Sequence, residues 1–140
     1  MGHAVAQAYH TGHASLIIRG EALDFEEITR RLNVDPAGIL RKGGKVPVGG
    51  RKVSTDFWMY RVRMPGDDPV DALGQLLAEL EPHVDYIRQL ADGGCDVCLR
   101  LHYQSELGQI YFEIPVELQS LIARFGVRLE FSILSWGGTV

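Results

Sequence analysis

Three groups of residues have types and spacings that could do chemistry. The most prominent is RKGGKVPVGGRK, residues 41–52, which gathers Arg41, Lys42, Lys45, Arg51 and Lys52. Gly44 and Gly49 match the glycine spacing of the phosphate loop G-x-x-x-x-G-K-[ST], but Gly50 and Arg51 stand where lysine and a hydroxyl residue belong. That loop works by presenting a helix N-terminus to phosphate, so a strand must precede it and a helix must follow. Here a helical pattern precedes and a strand pattern follows, which rules out nucleotide binding through this motif. The local pattern instead predicts a small hairpin, residues 46–48 and 51–53 forming the arms and Gly49-Gly50 the turn. Pro47 and the lysines suit a sheet edge, where they discourage unwanted pairing. Two readings stay open for it: a solvated edge, or a basic hairpin that attracts polyanions.

The second group is CDVC with the histidine that follows it. A redox C-x-x-C needs both thiols to meet at a helix N-terminus, but Cys95 and Cys98 run into an alternating strand pattern that puts them on opposite faces. Cys98 and His102 share a face, yet four residues along a strand is about 13 Å. A base must lie within about 3 Å of its nucleophile, so they cannot be partners. Asp96, Cys98, Arg100 and His102 are expected to form the half-solvated face of a sheet, with Asp96 and Arg100 facing Arg128 and Glu130 of the last strand. The third group is His10 and His13, a weak candidate metal pair in a terminus that otherwise has no apolar pattern. Asp67, Asp68 and Asp71 are helix-start residues with no calcium-loop spacing. No catalytic residue, metal ligand set or cofactor motif is assigned.

Charge narrows the function classes further. The 140 residues carry a net charge of −4, and all three lysines fall within residues 41–52. From residue 36 to 55 there is no acid, so that window holds +5 and the remainder −9. A generally basic nucleic-acid binder is excluded, though one basic loop on an acidic body is not. With 46% hydrophobic residues the chain can bury a core without disulfide or metal, and the two close cysteines could close only a tiny loop. No stretch reaches the roughly 18 apolar residues of a membrane span, and the N-terminus has no signal-peptide pattern. A cytoplasmic protein is expected.

The elements that must position these groups are readable from periodicity. Ser15 to Arg19 is a short apolar run that predicts a strand; residues 1–13 are expected to be a loose arm and residues 14–137 one domain. Asp24 and Glu27 have capping-box spacing before Phe25, Ile28 and Leu32, the surest helix of the chain. After an irregular stretch, DFWMYRVRM alternates Trp58, Tyr60, Val62 and Met64 against Phe57, Met59, Arg61 and Arg63. Asp68-Pro69 opens a helix with Val70, Leu73, Leu77 and Leu80 as its stripe, and Pro82 must kink it or start another. CDVCLRLHY is a strand, IYFEI suggests its hairpin partner, and Pro115 opens a helix that buries Leu118, Leu121, Ile122 and Phe125. VRLEFSILSW closes the chain with Val127, Leu129, Phe131 and Ile133 inward; Trp58 and Trp136 are both expected in the core.

The ALDFEEITRRLNVDP segment, the glycine-containing basic loop, the Phe57-Trp58 strand, the P-x-x-x-x-I-x-x-L segment from Pro82 and the closing LIARFGVRLEFSIL together resemble the uncharacterised DUF4279 family over residues 14–136. The resemblance implies a small bacterial α+β protein and carries over no catalytic or binding residue. The expected fold is α+β, a two-layer sandwich with a mostly antiparallel sheet backed by helices on one face, ferredoxin-like in manner. Such a sheet leaves one face available. The functional expectation is therefore a non-catalytic binding module whose open sheet face, with Arg61, Arg63, Arg100 and His102, meets another protein or, weakly, a second copy. The alternative is anion or nucleic-acid binding through residues 41–52.

Overall fold

The computed structural model describes residues 10–44 and 52–136. Its chain order is β1 (His10–Gly20), α1 (Phe25–Leu32), β2 (Gly38–Leu40), β3 (Asp56–Arg63), α2 (Pro69–Leu80), α3 (Val84–Asp92), β4 (Asp96–Ser105), α4 (Val116–Phe125) and β5 (Arg128–Ser135). One mixed sheet takes all five strands in the order β2-β3-β1-β4-β5. The first three interfaces are antiparallel and only β4–β5 is parallel.

Local chemistry explains the helix boundaries. The Asp24 carboxylate accepts from the Glu27 N–H at the start of α1, and Asn33 ends it in the left-handed conformation that asparagine tolerates. Asp68 caps α2 through the Val70 N–H with Pro69 at the first turn. Pro82 splits the following segment into a 3-10 turn over Glu81–His83 and then α3.

The core holds the even-numbered side of the central strands: Ala14, Leu16 and Ile18 of β1, Trp58 and Val62 of β3, and the odd-numbered Val97, Leu99 and Leu101 of β4. Leu23, Phe25, Ile28 and Leu32 of α1 and its entry, Ala72, Leu73, Leu76, Leu77 and Leu80 of α2, Val84 and Ile87 of α3 and Phe125 of α4 complete it. Trp58 is fully buried and its indole N–H donates to Thr29 Oγ1 at 3.1 Å, so the largest core side chain loses no hydrogen bond. Gly12 lets β1 and β4 approach closely, since a Cβ there would lie 2.6 Å from the His102 carbonyl oxygen.

Several expectations are corrected. The N-terminal arm is not loose up to residue 13, because β1 starts at His10 and pairs along β4 from Ser105 onward. A short strand, β2, sits within the stretch expected to be irregular. IYFEI forms no strand: both sides of β4 are already taken, by β1 and β5, and Phe112 and Ile114 pack against the core from an irregular segment. On α4 only Phe125 is fully buried, whereas Leu118, Leu121 and Ile122 are half-buried. Phe131 and Ile133 lie on the expected core side, beside Leu101 and Tyr103, but stay 51% and 46% exposed because β5 is an edge strand. Trp136 is 48% exposed at the end of that edge rather than buried. Most of the hairpin expected over residues 46–53 lies outside the described residues, which leave out 45–51 and so Lys45 and Arg51; Gly43 and Gly44 bond with Val53.

Candidate sheet-face binding site

The register of the strands turns the side opposite the core into rows of facing residues. Met59, Ile17, Cys98 and Arg128 form one row; Arg61, Ser15, Arg100 and Glu130 the next; Arg63, His13, His102 and Ser132 the third. Arg61, Arg63, Arg100 and His102, expected on one open face, are thus brought together, with adjacent residues of a row about 5 Å apart. The sequence reading missed His13, which it left in the terminal arm, and Ser15, which it took only as the start of a strand. His13 stacks on His102 with ring centroids 4.8 Å apart.

The β4–β5 half of this face satisfies its own charges. Arg100 donates from Nε and Nη2 to Glu130 Oε1 at 3.2 and 3.0 Å, and the guanidinium of Arg128 grips Asp96. These are the cross-strand pairs that the sequence pattern anticipates. The Arg100 hydrogen bond, ahead of Cys98 and the nearby charges, holds the Glu130 carboxyl below the usual range. His102 contacts Ser132 Oγ through Nδ1, and its Nε2–H donates to Gln104 Oε1.

The β1–β3 half does not. Among the described residues neither Arg61 nor Arg63 has a carboxylate within ion-pairing distance. Arg61 Nη2 reaches only the sulfur of Met59, at 3.9 Å. Two buried polar atoms have no partner among the described residues, and both are here: Arg61 Nε and the hydroxyl of Ser15, a residue 1% exposed. Burial first, then the charges of Arg61, His102, Arg63 and Arg100, pushes His13 down to about 4, so this imidazole is neutral at pH 7.

The arrangement holds cations and donors but no reactive nucleophile. Cys98 is fully buried and pushed up to about 11, chiefly by burial and then by the Glu130 contact, so its thiolate is scarce. Cys95, before β4, packs against the core on the other side, and both thiols are free. His10 and His13 do not form a metal pair: three residues apart on one strand, they leave opposite faces. His10 Nδ1 meets Tyr103 Oη at 2.7 Å and Ser105 Oγ at 3.1 Å, fastening the strand end. No group of three or more His, Cys, Asp or Glu among the described residues could hold a metal ion.

The basic loop is built differently. Asp56, 4% exposed, accepts from Leu23 N at 3.0 Å, from Lys42 N at 2.7 Å and from Arg41 Nη1 at 3.1 Å. The Lys42 backbone bond, then those of Leu23 and Arg41, holds its carboxyl below the usual range. Arg41 also donates to the Leu23 carbonyl and covers the Phe25 ring at 4.0 Å, while Lys42 Nζ pairs with Glu21 at 2.8 Å. Lys52 is exposed, with Val53 beside it at the loop base. Two of the five expected cations therefore already have carboxylate partners. A shallow apolar depression of about 410 Å³ between α1 and β2, lined by Phe25, Pro36 and Ile39, offers no comparable polar chemistry.

A family model described as DUF4279, a domain of unknown function, matches residues 8–136 and so takes in His10 and His13 as well. Comparison with curated proteins and with solved structures gave no match.

Proposed function

The chain belongs to the DUF4279 family, and we propose that it acts as a non-catalytic binding module whose open sheet face engages a partner protein. One observation carries the reading: Arg61 and Arg63 stand on this face without a counter-carboxylate while Arg100, Arg128 and Arg41 each have one. Cations on a structured sheet surface, beside half-buried Phe57 and Met59, give a partner both apolar contact and charge. In this reading the architecture is a ferredoxin-like two-layer sandwich, supported by the order β2-β3-β1-β4 with helices in the crossovers, and β5 is an added edge. No described helix is long and apolar enough to cross a membrane, and the module is assigned to the cytoplasm on composition.

The test is a photo-crosslinking amino acid placed at Met59 on the face and, separately, at Glu26 on α1. A partner identified by mass spectrometry, crosslinked from Met59 alone and lost on R61E/R63E, is the expected result; capture from Glu26 instead would sink the reading. The alternative, a polyanion on residues 41–52, is weakened by the ties of Arg41 and Lys42. Charge reversal at Lys42, Lys45 and Arg51 tests it through the salt dependence of heparin or RNA binding. Weak self-association is placed at the β5 edge, supported by exposed Phe131, Ile133, Leu134 and Trp136. Light scattering at high concentration checks it, a strict monomer being the adverse result.

A further inference from the structure

We propose that the β1–β3 half of the sheet face is a carboxylate subsite: Arg61 and Arg63, with Ser15 and the His13–His102 stack beside them, take an acidic side chain or C-terminal carboxylate of the partner. The inference rests on the open-face reading above and gives it a ligand chemistry.

The sheet itself shows what such a site wants. Arg61 and Arg100 are the two cross-strand neighbours of Ser15, one on each side of β1. Arg100 has a further neighbour on β5, Glu130, and donates to it from two nitrogens. Arg61 has no equivalent, because β2 begins at Gly38 opposite Met59 and supplies no strand residue farther along β3. The same residue type in mirror positions is thus matched on one side and unmatched on the other. The missing piece is a carboxylate, and the open side of β3 past Met59 gives an incoming acidic segment a route to it.

Two further observations point the same way. Leaving a buried donor and hydroxyl unpaired is costly, and Arg61 Nε and Ser15 Oγ are such a pair of atoms, on facing residues. An oxyanion at the rim of this place can accept from the Arg61 guanidinium, whose fork suits the planar two-oxygen geometry of carboxylate. Carboxylate is the chemistry that the mirror position shows, since the partner that Arg100 takes on this row is the Glu130 carboxylate. The titration of His13 is depressed first by burial and then by Arg61, His102, Arg63 and Arg100, and this second part agrees with a positive field here.

The experiment follows the arginine Nε–Hε resonances of the full chain by NMR while tetraglutamate, tetraglutamine, acetate or inorganic phosphate is added. Saturable movement of the Arg61 signal with tetraglutamate, a weaker one with acetate and none with tetraglutamine is expected. R61Q and R63Q should each weaken tetraglutamate binding by roughly tenfold, while R124Q, on an exposed helical position, changes nothing. Arg63 is exposed, so R63Q keeps the test intact even if R61Q perturbs packing. No saturable movement, or equal movement of Arg41, Arg124 and Arg61, overturns the subsite; tighter phosphate than tetraglutamate binding overturns its carboxylate chemistry. If the titration fails while Met59 still crosslinks a partner, the subsite is wrong and the module stands; a partner reached only from Glu26 removes both.

Discussion

Arg41 and Arg61 are the same residue on neighbouring parts of one sheet, β2's end and β3's middle, and the fold treats them in opposite ways. Arg41 spends its guanidinium on Asp56, on the Leu23 carbonyl and on the Phe25 ring. Arg61 is given a methionine sulfur and keeps a buried Nε without a partner. The loop that carries Arg41 dominates the charge map of the chain, yet its first two cations already have carboxylate partners, Arg41 on buried Asp56 and Lys42 on exposed Glu21. The difference teaches that a charge is available to a ligand only where the strand pattern withholds a counter-ion. Buried donors that lack an acceptor mark such places better than a count of lysines does.

The comparison breaks first at Asp56. If the loop base is structural, D56A removes one acceptor from three donors, two of them backbone N–H groups, and should lower Tm by about 10 °C. R61Q, which removes no internal acceptor, should leave Tm within a few degrees of the parent. Thermal unfolding followed by circular dichroism measures both. Equal losses would mean that Arg61 is as structural as Arg41, and the contrast between the two regions would collapse.

The two regions should also separate on the pH axis. His13 binds its proton at about 4 in the folded chain against 6.5 when unfolded, so the unfolded state holds more protons between these values. Stability on its account is complete above 6.5 and is lost as pH falls toward 4. Asp56, whose carboxyl is held below its ordinary 3.8, contributes stability that is present above that value and is lost only at lower pH. In a series of Tm against pH, H13Q should flatten the fall between 6.5 and 4 and leave the acid limb, while D56A should do the reverse. A parent curve that is flat from 6.5 to 4 would remove the positive field assigned to the sheet face.

The alternation of Trp58, Tyr60, Val62 and Met64 against Phe57, Met59, Arg61 and Arg63 was readable because period-two patterning survives in a central strand. So were the Asp24 and Asp68 caps, and the meeting of Asp96 and Arg100 with Arg128 and Glu130, because cap spacing and strand parity are local rules. β5 was harder, since an edge strand can carry an apolar pattern without a layer to bury it. The place of His13 on the face was not readable because HTGHAS has no clean alternation, and only register with β4 puts it on His102. Above all, the tie of Asp56 to Arg41 and Lys42 crosses 14 or 15 residues, and the empty place beside Arg61 depends on where β2 starts. Neither follows from composition or spacing.

The smallest effect is also the sharpest check on the mirror argument. Arg100 is quiet because Glu130 answers it, so E130Q should turn it partway into a second Arg61. The glutamine can still accept from Arg100, but without a charge, and the repulsion felt by an incoming carboxylate on that row disappears. Tetraglutamate affinity should then rise by no more than about twofold, because the freed Arg100 lies two strands, about 10 Å, from Arg61 and is largely screened over that distance. Tm should stay close to the parent's, since ion pairs at this exposure contribute little. Burial is the larger cause of the raised Cys98 titration, so its thiol should remain slow toward alkylating reagents in E130Q. An affinity that falls instead would show that Glu130 orients Arg100 for the ligand, making the two halves of the face one site rather than a matched and an unmatched one.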